Sequence, residues 1–171
     1  MADARKLLQY LPHVNSAYDS SLNVAHSHLA EGTRSCVIDE IARWANATTV
    51  CEKALALTGP AGIGKSTIAH AMCRMLHKDG MLGASFSFHH GSEGLNDARI
   101  LVPSIIHQLV ANRPDIATPI LEAVKANSGE LSALYDPEFA VQSLIVHPLK
   151  SFRRDRTVPR IFLVIDGLDE C

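Results

Sequence analysis

The stretch "LTGPAGIGKSTIA", residues 57–69, places three glycines, a proline, a lysine and a serine between two apolar runs. Gly59, Gly64, Lys65 and Ser66 occupy every fixed position of the pattern G-x-x-x-x-G-K-[ST]. An apolar segment precedes the loop and a helical pattern follows it, as this motif requires. The stretch therefore predicts a strand, a phosphate-binding loop and a helix, in that order.

The residues of this loop suit the binding of a phosphate chain. Glycines permit positive φ angles and leave no side chain between the backbone and a ligand. Successive N–H groups can then point inward, with the positive end of the next helix behind them. We expect Lys65 to reach the β- and γ-phosphates and the Ser66 hydroxyl to bind Mg²⁺. The expected nucleotide-binding residues here are Gly59, Pro60, Ala61, Gly62, Ile63, Gly64, Lys65, Ser66 and Thr67.

The segment "IFLVIDGLDEC", residues 161–171, supplies candidate carboxylates. Asp166 ends an apolar strand, and ligands of open parallel sheets bind at the carboxyl edge, so we expect Asp166 to contribute to Mg²⁺ binding. Asp169 and Glu170 follow within one turn and are the catalytic candidates, placed to orient or deprotonate an attacking water. Taken alone, the segment also fits a polar strand end before an ordinary D-G turn. Its combination with the loop favours the metal interpretation.

The composition narrows the class of protein. A chain of 171 residues that is 47% hydrophobic and 20% charged is typical of one globular domain. Its net charge of −2 predicts neither nucleic acid nor an acidic membrane as a partner. Four cysteines without a C-x-x-C pair, and no signal-peptide or membrane-spanning pattern, indicate the cytoplasm.

Hydrophobic spacing predicts an α/β order. We expect helices over residues 36–44, 65–77, 98–112, 115–127 and 137–152, and strands over 53–59, 83–90 and 160–166. The last strand is the most apolar segment and is predicted to be central. Residues 1–31 are predicted to be a linker or a loosely docked arm. The order predicts a parallel sheet of at least three strands, covered by helices on both faces.

At these residues the chain resembles the NACHT-type signal-transduction NTPases, particularly fungal proteins with a nephrocystin-like NACHT region. Residues 57–69 resemble their phosphate loop, and "FLVIDGLDEC" resembles their metal-binding strand, in which a small residue such as Gly167 follows the aspartate. The segments "LAEGTRSCVIDEIARWA" (29–45) and "GASFSFHHG" (83–91) resemble the entry to their domain and its second strand.

The resemblance implies a three-layer P-loop NTPase fold with a mostly parallel sheet. It implies a switch that uses Mg²⁺ with ATP or GTP, and self-association through the same domain. It places Thr33 and Arg34 of the G-T-R segment near the base and ribose. On this basis residues 1–31 form the arm, and residues 32–171 form a partial NACHT domain with its phosphate loop at 59–66 and its acidic strand at 161–170.

The chain departs from the family after the acidic strand. In the family's sheet, a later strand lies between the phosphate-loop strand and the acidic strand. Without it, residues 55–58 and 162–165 either face a gap or pair directly, and apolar strand edges are exposed. We therefore expect a sheet that is incomplete at its C-terminal end. Whether the chain is a fragment of a longer protein stays open.

Three functions remain open from the sequence. The first is a regulatory NTPase switch, the second a small P-loop kinase, and the third a non-catalytic interaction module that retains nucleotide binding. The sequence supports nucleotide binding better than nucleotide hydrolysis. It leaves open whether the protein is an enzyme and whether the nucleotide is ATP or GTP.

Overall fold

The computed structural model describes residues 6, 8–9, 11–20, 34–47, 53–89, 95–127, 129, 136–152 and 160–170. The regular elements in these ranges are α1 (Ser35–Asn46), α2 (Lys65–Lys78), β1 (Leu82–Ser87), α3 (Ala98–Asn112), α4 (Pro114–Ala126), α5 (Pro137–Val141), α6 (His147–Phe152) and β2 (Phe162–Asp166). A π-helical turn, Gln142–Val146, joins α5 to α6, and a 3₁₀ turn, Leu168–Glu170, follows β2. The chain is therefore a mixed α/β protein, as predicted.

The two strands pair in parallel, with Ser85 opposite Val164 and Ser87 opposite Asp166. Helix α2 packs on one face of this sheet, where Leu82 is buried with side chains of α2. Helix α3 packs on the other face, where Ala84 joins the main core. The predicted parallel direction of the sheet is confirmed.

The main core lies between α3, α4 and the segment from α5 to α6. Its fully buried side chains come from all of these helices and include Val102, Ile106, Leu109, Ile116, Ile120, Leu121 and Leu144. Local sequence signals set the helix ends, because Asp97 accepts a hydrogen bond from the Arg99 N–H and Pro114 occupies the first turn of α4. No helix in the described ranges is both long enough and apolar enough to cross a membrane.

Pro103 lies inside α3 and does not end it, so the predicted helix over 98–112 is confirmed. The predicted helix over 137–152 is helical throughout, but its middle five residues form the π-helical turn. Such turns widen the backbone spiral by one residue and are not signalled by hydrophobic spacing.

The strand predicted over residues 53–59 is wrong, because residues 54–60 have no regular secondary structure. Leu55 and Leu57 are 41% and 37% exposed. A strand forms through hydrogen bonds to a neighbouring strand, and none of the described residues supplies one here. The described sheet consequently has two strands instead of the three or more expected.

Strand β2 lies at an edge of the described sheet and is not central, which corrects a second prediction. Its side chains alternate between half-buried and exposed positions, and Leu163 and Ile165 are 40% and 37% exposed. Residues 55–58 and 162–165 do not pair with each other in the described sheet, so direct pairing, one of the two expected outcomes, is not seen there.

Residues 8–9 and 11–20, which belong to the predicted arm, pack against the rest of the described structure. Leu8 and Leu11 are buried in the main core. The Val14 N–H donates to Ser104 Oγ at 3.1 Å, and the Tyr18 N–H donates to Ser85 Oγ at 2.9 Å. This part of the arm therefore lies against α3 and β1, whereas residues 21–31 are outside the described ranges.

The outer edge of β1 is covered by a side chain. The Ser85 N–H donates to Gln108 Oε1 at 2.9 Å, and Gln108 Nε2 donates to the Ser85 carbonyl oxygen at 2.8 Å. Asn112 adds a bond from Nδ2 to the Gly83 carbonyl oxygen at 3.3 Å. The amide of Gln108 thus takes the place of a neighbouring strand and protects this edge from pairing with another chain.

Replacing Gln108 by alanine should lower the free energy of unfolding by about 2 kcal/mol or more, because two buried backbone groups lose their partners. Urea unfolding measures this change. Gln142→Ala is the matched control, because Gln142 is exposed, and it should change stability by less than about 0.5 kcal/mol. Equal effects of the two substitutions would contradict the edge-covering role of Gln108.

Candidate phosphate-binding site

The loop at residues 59–66 is open to solvent, and its lysine is held within it. Residues 59–63 are exposed, and Lys65 is half-buried. Lys65 Nζ donates to the carbonyl oxygens of Gly59 at 2.9 Å and Pro60 at 3.2 Å. The loop therefore curves around the ammonium group of the residue at its far end.

The N-terminus of α2 points out of this loop without a side-chain cap. Its N-cap residue, Gly64, has a φ of 93°, which a residue with a side chain rarely adopts. The first N–H groups of a helix have no partner within the helix and carry a partial positive charge. Ser66 and Thr67, in this first turn, are half-buried. The helix thus offers main-chain donors and a positive dipole end at an accessible place.

The chain topology brings Asp166 to the same end of the sheet. Helix α2 ends beside the start of β1, where the Met81 N–H donates to the Leu76 carbonyl oxygen at 2.8 Å. With 14 residues in α2 and six in β1, both elements span about 20 Å. The N-terminus of α2 therefore lies level with the end of β1, and Asp166 lies opposite Ser87 at that end. By element length and direction, the start of α2 and Asp166 both lie toward the carboxyl end of β1.

The electrostatics of Cys73 also place Asp166 close to α2. Burial raises the pKa of the Cys73 thiol to about 12, the hydrogen bond with Ser85 opposes this rise, and the negative charge of Asp166 adds to it. Cys73 lies on the buried face of α2. The carboxylate at the end of β2 is therefore within electrostatic reach of the helix that begins at the loop.

Gly167 allows the chain to turn directly after Asp166. It has a φ of 70°, and a Cβ at this position would lie 2.8 Å from the Phe88 carbonyl oxygen. The Phe88 N–H donates to the Asp166 carbonyl oxygen at 3.0 Å, which holds the ends of the two strands together. Phe88 was not among the predicted site residues. It lies within the strand predicted over residues 83–90, whereas the observed strand ends at Ser87.

The two catalytic candidates lie in the 3₁₀ turn that follows. The Glu170 N–H donates to the Gly167 carbonyl oxygen at 2.8 Å, which closes the turn. Asp169 is exposed and Glu170 is half-buried. The turn therefore keeps both carboxyl groups at the edge of the sheet that Asp166 occupies.

Arg34 approaches the loop from a distant part of the chain. It is the N-cap of α1, with a φ of 58°, and a Cβ built on Gly64 would lie 2.5 Å from both Nη1 and Nη2 of Arg34. The guanidinium group therefore lies directly against the Gly64 backbone, beside Lys65. Thr33, the other candidate of the G-T-R segment, lies outside the described residues.

The donors available for Mg²⁺ are oxygen atoms. The described residues contain no group of three or more His, Cys, Asp or Glu side chains able to hold a metal ion. Mg²⁺ prefers oxygen ligands and is usually held by one or two protein groups together with substrate phosphates and waters. The hydroxyl of Ser66 and the carboxylate of Asp166 fit that requirement, whereas an all-protein metal site does not.

A cavity elsewhere is separate from this site. It has a volume of about 350 Å³ and lies between the arm, α2, β1 and α3, with His13, Asp19, His77 and Gln108 in its lining. None of its lining residues belongs to the loop at 59–66. It therefore does not contribute to phosphate binding.

The family model described as "Nephrocystin 3, N-terminal" matches residues 32–171. The chain belongs to the nephrocystin 3, N-terminal family. The matched region of this family contains the loop, α1, both strands and the acidic turn, so the nephrocystin-like part of the resemblance is confirmed. No curated protein and no solved structure matches the chain.

Replacing Gly167 by alanine should destabilise the protein more than replacing Gly80, although both glycines have similar positive φ angles of 70° and 67°. A Cβ on Gly80 has nothing within 4 Å. The loss of unfolding free energy in Gly80→Ala therefore comes from the left-handed backbone alone and should be about 1–2 kcal/mol. Gly167→Ala adds the close contact with Phe88, expected at about 1 kcal/mol or more. Urea unfolding compares the two variants, and equal losses would contradict the close approach.

Proposed function

We propose that this nephrocystin 3, N-terminal domain is a NACHT-type P-loop nucleotide switch that binds ATP or GTP with Mg²⁺. The observation that carries the proposal is the convergence of Lys65 and the uncapped N-terminus of α2 on one open glycine loop. In the proposed complex, the phosphates take the place of the Gly59 and Pro60 carbonyl oxygens as partners of the lysine. The sheet seen in the described residues would be part of the larger P-loop sheet.

The energetics of this loop favour an anion. A helix N-terminus carries about half a positive charge, and main-chain N–H groups need no rearrangement to donate to phosphate oxygens. Hydrogen bonds to charged groups contribute about 1.5–3 kcal/mol each. Two or three such bonds, together with the charge of Lys65, therefore favour an anion at this loop over a neutral ligand.

Ser66 and Asp166 are the residues that would hold Mg²⁺. They come from the helix and the strand that meet at this edge of the sheet, and both supply the oxygen atoms that this ion prefers. When bound, Mg²⁺ offsets the negative charge of the phosphates. The role of Asp166 in this proposal is to hold the positively charged Mg²⁺ on the side of the phosphates opposite to Lys65.

In a hydrolytic switch, Glu170 is the better placed of the two catalytic candidates. Its half-buried position limits competition from bulk water, whereas Asp169 is exposed. The proposed role of Glu170 is to accept a proton from the attacking water. The proposed role of Asp169 is to orient this water by hydrogen bonds through other water molecules at the end of β2.

A second candidate function is a non-catalytic interaction module that retains nucleotide binding. It is favoured by the exposed apolar side chains beside the site, with Leu168 at 64% and Leu163 at 40% exposure. Exposed apolar groups near a ligand site are typical of surfaces that bind another protein. Nucleotide binding by the chain without release of phosphate would support this second function over the first.

Lys65→Ala should weaken the binding of ATP or GTP by about 10- to 100-fold, because it removes a charge-assisted contact to the phosphates. Isothermal titration calorimetry with the whole chain measures the affinity. Lys78→Ala removes the same charge from the other, exposed end of α2 and should leave binding unchanged. If the parent chain binds neither nucleotide, or if Lys65→Ala binds as well as the parent, the proposed function is wrong.

Asp166→Asn should remove the dependence of nucleotide affinity on Mg²⁺. We expect Mg²⁺ to strengthen binding by the parent by about tenfold, and to have little effect on the variant, because the amide lacks the charge that attracts the ion. The titrations are run with Mg²⁺ and with a chelator. The control is Asp39→Asn on the exposed face of α1, and a full Mg²⁺ effect in Asp166→Asn would remove Asp166 from the site.

A further inference from the structure

Two cationic side chains meet at the phosphate loop. The Arg34 guanidinium lies against the Gly64 backbone, and the Lys65 ammonium is bound inside the loop by carbonyl oxygens. Neither side chain forms an ion pair with any residue in the described ranges. Two positive charges at one loop repel each other, and a bound anion that contacts both would offset this repulsion. The arrangement therefore points to an anionic ligand that contacts both.

We propose that Arg34 binds the phosphates of the nucleotide held in this loop, instead of its base or ribose, and that it couples occupancy of the loop to the position of α1. This inference rests on the proposed function and names a regulatory contact within that site. The resemblance had implied a place near the base and ribose for Arg34.

The position of the guanidinium favours phosphate as its ligand. Gly64 is the last residue before α2, and Lys65 follows it, so the guanidinium lies where the phosphates would meet the helix N-terminus. The planar fork of an arginine side chain matches two oxygens of one phosphate group. The backbone of Arg34 is left-handed, which is unusual for a residue with a side chain and is typical of functional sites.

Helix α1 connects Arg34 to the start of β2. At one end, the Arg34 carbonyl oxygen accepts hydrogen bonds from the N–H groups of Val37 and Ile38, both at 3.1 Å, so the arginine is part of the first turn. At the other end, the Trp44 ring lies edge-on to Phe162, with 5.5 Å between ring centroids. Arg34 and Trp44 are ten residues apart, so the helix spans about 15 Å between these contacts. A shift of Arg34 toward phosphate therefore changes the packing of Trp44.

The chain contains a single tryptophan, so its fluorescence reports on this contact alone. The indole Nε1 is buried and has no hydrogen-bond partner within the described residues. A small movement of α1 that admits water to this group should shift the emission spectrum. The signal separates coupling through α1 from simple binding at the loop.

The test compares the parent, Arg34→Ala, Arg34→Lys, Lys65→Ala and Arg43→Ala in titrations with Mg·ATP and with inorganic tripolyphosphate. We expect Arg34→Ala to weaken both ligands by the same factor, about tenfold or more, and Arg34→Lys to weaken them less. Arg43→Ala, an equal loss of charge at the exposed far end of α1, should bind both ligands like the parent. At saturating Mg·ATP, the parent and Arg43→Ala should show a shift in Trp44 emission, and Arg34→Ala should show none.

Several outcomes would overturn the inference. Unchanged affinity of Arg34→Ala for both ligands would remove the contact, and a loss for Mg·ATP without a loss for tripolyphosphate would move Arg34 to the base or ribose. If Arg34→Ala, saturated with Mg·ATP, shows the same shift in Trp44 emission as the parent, the coupling between loop occupancy and the position of α1 is refuted. If Lys65→Ala loses binding, these results leave the proposed function intact. If the parent binds neither Mg·ATP nor Mg·GTP, both the inference and the proposed function are refuted. Arg34→Gly, which suits a φ of 58°, replaces the alanine variant if that variant does not fold.

Discussion

The direct return of α2 into β1 is the constraint on which the candidate site depends. The hydrogen bond between Met81 and Leu76 joins the end of the helix to the start of the strand, so the loop that precedes α2 lies at the carboxyl edge of the sheet. Parallel pairing then brings Asp166 to that edge. An antiparallel β2 would have placed this carboxylate at the opposite end, about 15 Å or more away. Chain direction therefore decides at which end of the sheet Asp166 lies.

Much of the fold could be predicted, and the errors have a common physical cause. Helices were found because their buried residues recur within one segment, as in α2 and α3. The strand over 53–59 was wrong because a strand needs a neighbour, and apolar composition alone cannot supply one. For the same reason, the sequence did not show that the side chain of Gln108 would occupy the edge of β1. These features depend on contacts between distant segments.

The candidate site also contains residues that the sequence could identify and contacts that it could not. The loop at 59–66 is a continuous motif in which each residue type has its own mechanical reason, so its residues could be identified directly. Asp166 could be placed because strand ends of a parallel sheet share an edge. The contact of Arg34 with Gly64 and that of Phe88 with Gly167 join residues far apart in the chain. Spacing within the sequence carries no information about such contacts, and only the folded chain shows them.

The most direct test of the account is the response of the loop's main-chain amides to nucleotide, measured by NMR on the whole chain with and without Mg·ATP. If backbone N–H groups hold the phosphates, the amide signals of Gly64, Lys65 and Ser66 should move strongly downfield and exchange with solvent more slowly on saturation. Amides in α4, which is remote from the loop along the chain, should change little. Saturation without a change in the three loop amides would contradict the central claim.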